Sequence, residues 1–129
     1  MEHRRLFVDV DDTLVIYDDG RNEPHPYGIY HDIPYTINEK LLEGIKEWNL
    51  GNPESWIIIW SGGGEEYARM WAERLGLLEG WRSGTVTPMI KDETTFIFIR
   101  DYDIVIDDMD LGGLRTHKPN EWPENNEVK

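Results

Sequence analysis

Two groups of aspartates stand at the ends of apolar runs: Asp9, Asp11 and Asp12 follow Leu6-Phe7-Val8, and Asp107 and Asp108 follow Ile104-Val105-Ile106. On a regular strand the side chains of Asp9 and Asp11 share one face, while Asp12 points away. Like charges so close call for a proton on one of them or a cation between them. Oxygen donors with no cysteine and no paired histidine suit a hard cation, and Mg²⁺ keeps several waters while using one or two carboxylates. A third place, Ser61-Gly62-Gly63-Gly64, follows Trp56-Ile57-Ile58-Ile59-Trp60 and offers a hydroxyl and glycine N–H groups to an anion. Any one of these alone reads more simply, as an acidic turn or as a loop in which Ser61 caps a helix. Two buried strands that both end in acid pairs, with nothing else in the chain to neutralise them, point instead to a site.

Those residues can meet only if the strands that carry them are neighbours. Leu6 to Val10 has the β-branched, apolar character of a strand buried on both faces, which suits a parallel sheet, and ligands bind such sheets at the carboxyl edge. Val15-Ile16-Tyr17 followed by Asp18-Asp19-Gly20 predicts a short hairpin, and the prolines and glycine from Asn22 to Pro34 predict an irregular flap. His25 and His31 in that flap match no recognised metal spacing and read as exposed loop residues. Thr36-Ile37-Asn38-Glu39 fits a capping box, so a helix is expected to start there; Ile37, Leu41, Leu42, Ile45 and Trp48 form its apolar face, and Gly51-Asn52-Pro53 stops it. Trp56 to Trp60 is the second buried strand. Glu65 to Leu75 is a second helix with Tyr67, Met70, Trp71 and Leu75 inward, ended by Gly76.

Further on, Thr85-Val86-Thr87 reads as a brief strand, and Thr94 to Arg100, apolar through Phe96-Ile97-Phe98-Ile99, reads either as a strand or as a short helix imposed by packing. Ile104 to Ile106 is the third buried strand. The order of elements argues for a three-layer α/β fold around a mainly parallel sheet. At 129 residues the expectation is one domain over residues 1–118, with a flap at about 15–35 and a polar tail, 119–129, anchored by Trp122.

Composition narrows the partners. Against 13 Lys and Arg stand 26 Asp and Glu, and a net charge of −13 disfavours non-specific nucleic-acid binding without excluding a small phosphate ester. The apolar run after Met1 to Arg5 is far too short for a signal peptide or a membrane span, and the absence of cysteine suits a cytoplasmic protein. Six Trp and six Tyr are expected to pack in the core and at its rim.

The motifs taken in order resemble those of the haloacid dehalogenase-like (HAD) phosphohydrolases. Asp9-Val10-Asp11-Asp12-Thr13 is similar to the first motif, Asp-x-Asp-x-Thr, although Asp12 stands where glycine is frequent. Ser61 after its strand resembles the second, and Lys91, on its own a solvated surface charge, falls where the third expects a lysine. Asp107-Asp108 matches the fourth. The resemblance implies a Rossmann-like HAD fold with a short flap and no large cap. It implies Asp9 as nucleophile, Asp11 as general acid/base, and Ser61, Gly62 and Lys91 around the phosphoryl group. It also implies Mg²⁺ held by Asp9, the backbone carbonyl of Asp11, Asp107 and Asp108.

The expected activity is Mg²⁺-dependent hydrolysis of a small phosphomonoester through an aspartyl phosphate. Arg21, Arg100 and Arg115 are suggested as substrate contacts. A 3′-end nucleic-acid phosphatase and a non-catalytic metal- or partner-binding module of the same fold stand as alternatives. A phosphoacceptor receiver ranks below them, because it needs an isolated acceptor aspartate where this chain has Trp60-Ser61-Gly62.

Overall fold

The isoleucine- and valine-rich runs marked in the sequence as buried strands lie side by side in the computed structural model, which describes residues 4–17, 33–52, 54–78, 86–100, 103–107 and 116–118. In chain order the elements are β1 (Arg5–Asp9), β2 (Val15–Tyr17), β3 (Tyr35–Ile37), α1 (Glu39–Gly51), β4 (Trp56–Ser61), α2 (Glu65–Arg74), β5 (Val86–Ile90), α3 (Glu93–Phe96), β6 (Ile104–Ile106) and β7 (Thr116–His117). Five strands form one sheet in the order β5-β4-β1-β6-β7, every pair parallel, while β2 and β3 form a separate antiparallel pair. The chain winds outward from β1 through β4 to β5, then crosses back to place β6 and β7 on the other side of β1. That reversal makes the carboxyl end of β1 the switch point of a doubly wound sheet, where a crevice opens between diverging connections.

Alternation along the strands assigns the two faces. Leu6, Val8, Ile57, Ile59, Ile104 and Ile106 pack with Leu41, Ile45 and Trp48 of α1 and with Ala68 and Trp71 of α2. Phe7, Ile58, Trp60 and Val105 point the other way and pack with Met89, Phe96 and Ile99. Right-handed crossovers require this arrangement: the β1-to-β4 and β4-to-β5 connections share a face, and the return from β5 to β6 takes the opposite one. The chain is therefore an α/β protein with a parallel central sheet flanked by helices. No helix among the described residues is long and apolar enough to cross a membrane.

Several local expectations shift. The first helix begins at Glu39 and not after Thr36: the cap is Asn38, whose side chain accepts the Leu41 N–H at 3.2 Å. Thr36 and Ile37 are instead used in β3, paired with Ile16 and Val15. β5 is longer than the brief strand expected and runs through Pro88, which a sheet-edge strand tolerates because no second ladder is lost there. Of the segment 94–100, only the part up to Phe96 takes the helical alternative, while residues 97–100 are neither helix nor strand; the helix is set by Asp92, whose carboxylate accepts the N–H groups of Thr94 and Thr95 while the Thr95 hydroxyl accepts the Asp92 N–H. β7 was not foreseen. The Asp18-Asp19-Gly20 turn, the flap with Arg21, His25 and His31, Asp108, Arg115 and the tail from Pro119 lie outside the described residues.

Candidate active site

β1 stops at Asp9, and the chain folds back on itself at once. The Val10 carbonyl accepts the N–H groups of Thr13, Leu14 and Val15, and Asp12 takes a left-handed conformation, φ 62°, to close the turn. A position with positive φ is one that glycine occupies without strain, which accounts for the glycine frequent there in the motif that this segment resembles. The turn returns Thr13 beneath Asp9, where its hydroxyl donates to Asp9 Oδ2 at 3.0 Å. Asn38 holds the turn from outside: its Nδ2 donates to the Thr13 carbonyl at 3.1 Å and its backbone N–H to Leu14 at 2.8 Å. Because the strand ends at Asp9, Asp11 is carried on the turn, and strand alternation does not govern where it points.

Asp107 follows β6 in the position next after the Val8–Ile106 pair, which sets it beside Asp9 at the sheet's carboxyl edge. The Asp107 N–H donates to the His117 carbonyl at 3.1 Å, so β7 fixes its backbone. Lys91 reaches the same point from two strands away. Its N–H donates to the Ser61 carbonyl at 2.8 Å, extending the β4–β5 ladder by one residue. Its Nζ donates to Asp9 Oδ1 at 2.8 Å and to Asp107 Oδ2 at 2.9 Å. The three side chains are 14, 7 and 0% exposed for Lys91, Asp9 and Asp107. Burial works against the ammonium, yet the charges of Asp9 and Asp107 outweigh it and hold the Lys91 pKa above the ordinary lysine value.

Asp11 turns toward α2. Its Oδ1 accepts the Tyr67 hydroxyl at 2.7 Å, and the Tyr17 hydroxyl lies 3.5 Å from that of Tyr67. Burial, then the bonds with Tyr17 and Asp11, push the Tyr67 phenol far above the ordinary tyrosine range, so it is a donor at every working pH. Ser61 is 2% exposed at the end of β4, one position past Trp60, which is in register with Asp9. Its Oγ accepts the Gly63 N–H at 3.0 Å, and Gly62 is exposed on the turn that follows. The cap of α2 is Gly64 and not Ser61.

Of the residues singled out in the sequence, Asp9, Lys91 and Asp107 are thus in direct contact, with Ser61 and Gly62 on the adjoining strand end and Asp11 on the turn. Asp108 lies outside the described residues. Arg100 belongs to the opposite edge: its backbone N–H donates at 2.7 Å to Asp103, which precedes β6 and is paired with Arg5 at the start of β1. Tyr67 was read only as part of an inward helix face. The signal available was its hydroxyl, because a buried tyrosine needs a partner for its O–H.

Among the described residues no three His, Cys, Asp or Glu side chains converge as a protein-only metal site requires. Mg²⁺ needs less, since it retains waters and binds through one or two carboxylates with substrate phosphate completing the shell. Asp9 and Asp107 against one ammonium leave a net negative, all-oxygen donor set, which fits such a cation. No protein-family model, curated protein or solved structure matches this chain.

Proposed function

We propose that this chain is a small phosphohydrolase of the HAD type, acting on phosphomonoesters through an aspartyl phosphate on Asp9. The observation that carries the reading is Lys91 Nζ bridging Asp9 and Asp107 at the switch point of the sheet. A carboxylate cannot approach a phosphate dianion without cationic compensation, and here the compensation is built into the fold beside the nucleophile.

Lys91 and the Thr13 hydroxyl hold the two oxygens of Asp9 and so fix the direction of its attack. Ser61 and the Gly62 N–H stand at the adjoining strand end to orient the phosphoryl oxygens. As the bond from Asp9 to phosphorus forms and the ester P–O bond breaks, Asp11 gives its proton to the departing alcohol. It then takes a proton from the water that attacks phosphorus, which breaks the Asp9–phosphorus bond and releases phosphate. Asp9, Asp107 and the Asp11 carbonyl, with Asp108 by resemblance, would hold Mg²⁺, which would supply further charge neutralisation. The net charge of −13 favours small phosphomonoesters over polyanions, and a chain without cysteine suits the cytoplasm.

The test is phosphate release from an aryl phosphate with Mg²⁺ and with chelator, comparing the chain with Asp9→Asn. Metal-dependent release that vanishes in the folded variant is the expected result. Full activity in Asp9→Asn removes the nucleophile assignment, and no release from aryl, nucleotide or sugar phosphates removes the phosphatase reading.

A further inference from the structure

Tyr67 stands in the first turn of α2, and its buried hydroxyl is spent on Asp11 at 2.7 Å. Tyr67 is only 4% exposed, and its hydroxyl is met by Asp11 on the turn and by Tyr17 just after it. Tyr17, from the strand just after that turn, brings its hydroxyl to 3.5 Å from Tyr67. With its own proton committed to Asp11, the Tyr67 oxygen acts as acceptor in that contact. Tyr17 is in turn seated by Tyr35 at 6.1 Å, and Tyr35 meets Trp71 of α2 edge-on at 5.4 Å. The β2–β3 pair and α2 are thereby locked together around one hydrogen bond to a carboxylate.

We infer that Tyr67 is a positioning residue for Asp11: its hydroxyl holds Oδ1 so that Oδ2 carries the proton delivered to the leaving oxygen. This rests on the phosphohydrolase reading above, in which Asp11 is the general acid. A carboxylate on a turn has two free side-chain torsions, and a misplacement of about 1 Å in an acid can cost on the order of a hundredfold in rate. Tyr67 removes that freedom, and Tyr17 removes it from Tyr67. The hydroxyl acts through Asp11 and does not touch the substrate.

The consequence is a dependence on leaving group. A nitrophenolate departs without a proton, whereas an alkoxide requires one. For Tyr67→Phe, which keeps the ring, kcat/KM on an alkyl phosphate is expected to fall about ten- to a hundredfold, and on 4-nitrophenyl phosphate by less than about threefold. kcat/KM reports only the steps through phosphoryl transfer, so slow hydrolysis of the intermediate does not mask the contrast. In an Asp11→Asn background the same substitution is expected to add nothing. Equal losses on both substrates, or losses that multiply with Asp11→Asn, overturn the role of Tyr67 while leaving the phosphatase reading standing. A parent protein that releases no phosphate from either substrate overturns both. If Tyr67→Phe does not fold, Tyr17→Phe takes its place, with the same contrast expected at a few-fold and uniform losses again contradicting it.

Discussion

Replacing Lys91 with methionine keeps most of the aliphatic stem and removes the ammonium, leaving Asp9 and Asp107 facing each other. Both are buried, and the oxygens that shared Nζ were each within 2.9 Å of it. Two carboxylates about 5 Å apart repel by about 3 kcal/mol at an effective dielectric of about 20. That agrees with the roughly 3–5 kcal/mol typical of removing one partner from a buried ion pair. For a domain of this size such a loss lowers Tm by about 10–15 °C. The sign with pH follows from proton binding: in the variant the folded carboxylate pair holds a proton more tightly than the unfolded chain, so stability falls as pH rises and the penalty shrinks on acidification. In the parent, the raised Lys91 pKa keeps its contribution intact below the ordinary lysine value and loses it progressively as pH rises from there through the folded one. Thermal unfolding of both proteins between pH 5 and pH 8, with and without Mg²⁺, reads all of this. Mg²⁺ should restore part of the variant's loss and stabilise it more than the parent, since it replaces the missing cation. A fall in Tm under about 3 °C at neutral pH, or one that does not change with pH, refutes the placement of Lys91 between two charged carboxylates.

Asp12, at φ 62°, should gain up to about 1 kcal/mol when changed to glycine and lose about 1–2 kcal/mol when changed to valine, as measured by urea unfolding. Asn38→Ala removes a helix cap and the tie to the Thr13 carbonyl together, so it should cost about 1–2 kcal/mol and reduce turnover as well; a loss of stability with unchanged kcat separates the cap from the turn. Arg5, paired with Asp103 at the far edge of the sheet, gives the complementary case. Arg5→Met should destabilise by about 3–5 kcal/mol while leaving kcat unchanged at a temperature where the variant is folded.

The three central strands, β4, β1 and β6, were legible because they are apolar runs. Ile57-Ile58-Ile59 and Ile104-Val105-Ile106 have no polar side to show water, and that excludes an edge or surface position. The aspartates at the ends of β1 and β6 were legible for the same reason, as charges with no apparent exit. Lys91 shows where single-residue reading stops. A lysine before Asp92-Glu93 looks like surface, and only the extension of β5 past Pro88, registered on Ser61, aims it inward. Local signals also competed. Thr36 and Asn38 are both acceptable caps, and the choice between them was made by β3 pairing with β2, a contact with Val15 and Ile16 that no pattern within 36–39 encodes. β7 is two residues long and carries no apolar repeat; its reason for existing is the Asp107 N–H that it accepts. Tyr67 satisfied helical periodicity so well that its hydroxyl passed as incidental.

The central claim is that Asp9 takes the phosphoryl group, and trapping tests it directly. Turnover quenched in acid and reduced with borohydride converts an aspartyl phosphate to homoserine, and peptide mass spectrometry locates the change. The expectation is homoserine at position 9, dependent on substrate and absent in Asp9→Asn. Active enzyme that yields no homoserine there under steady turnover, or yields it at Asp107, contradicts the account.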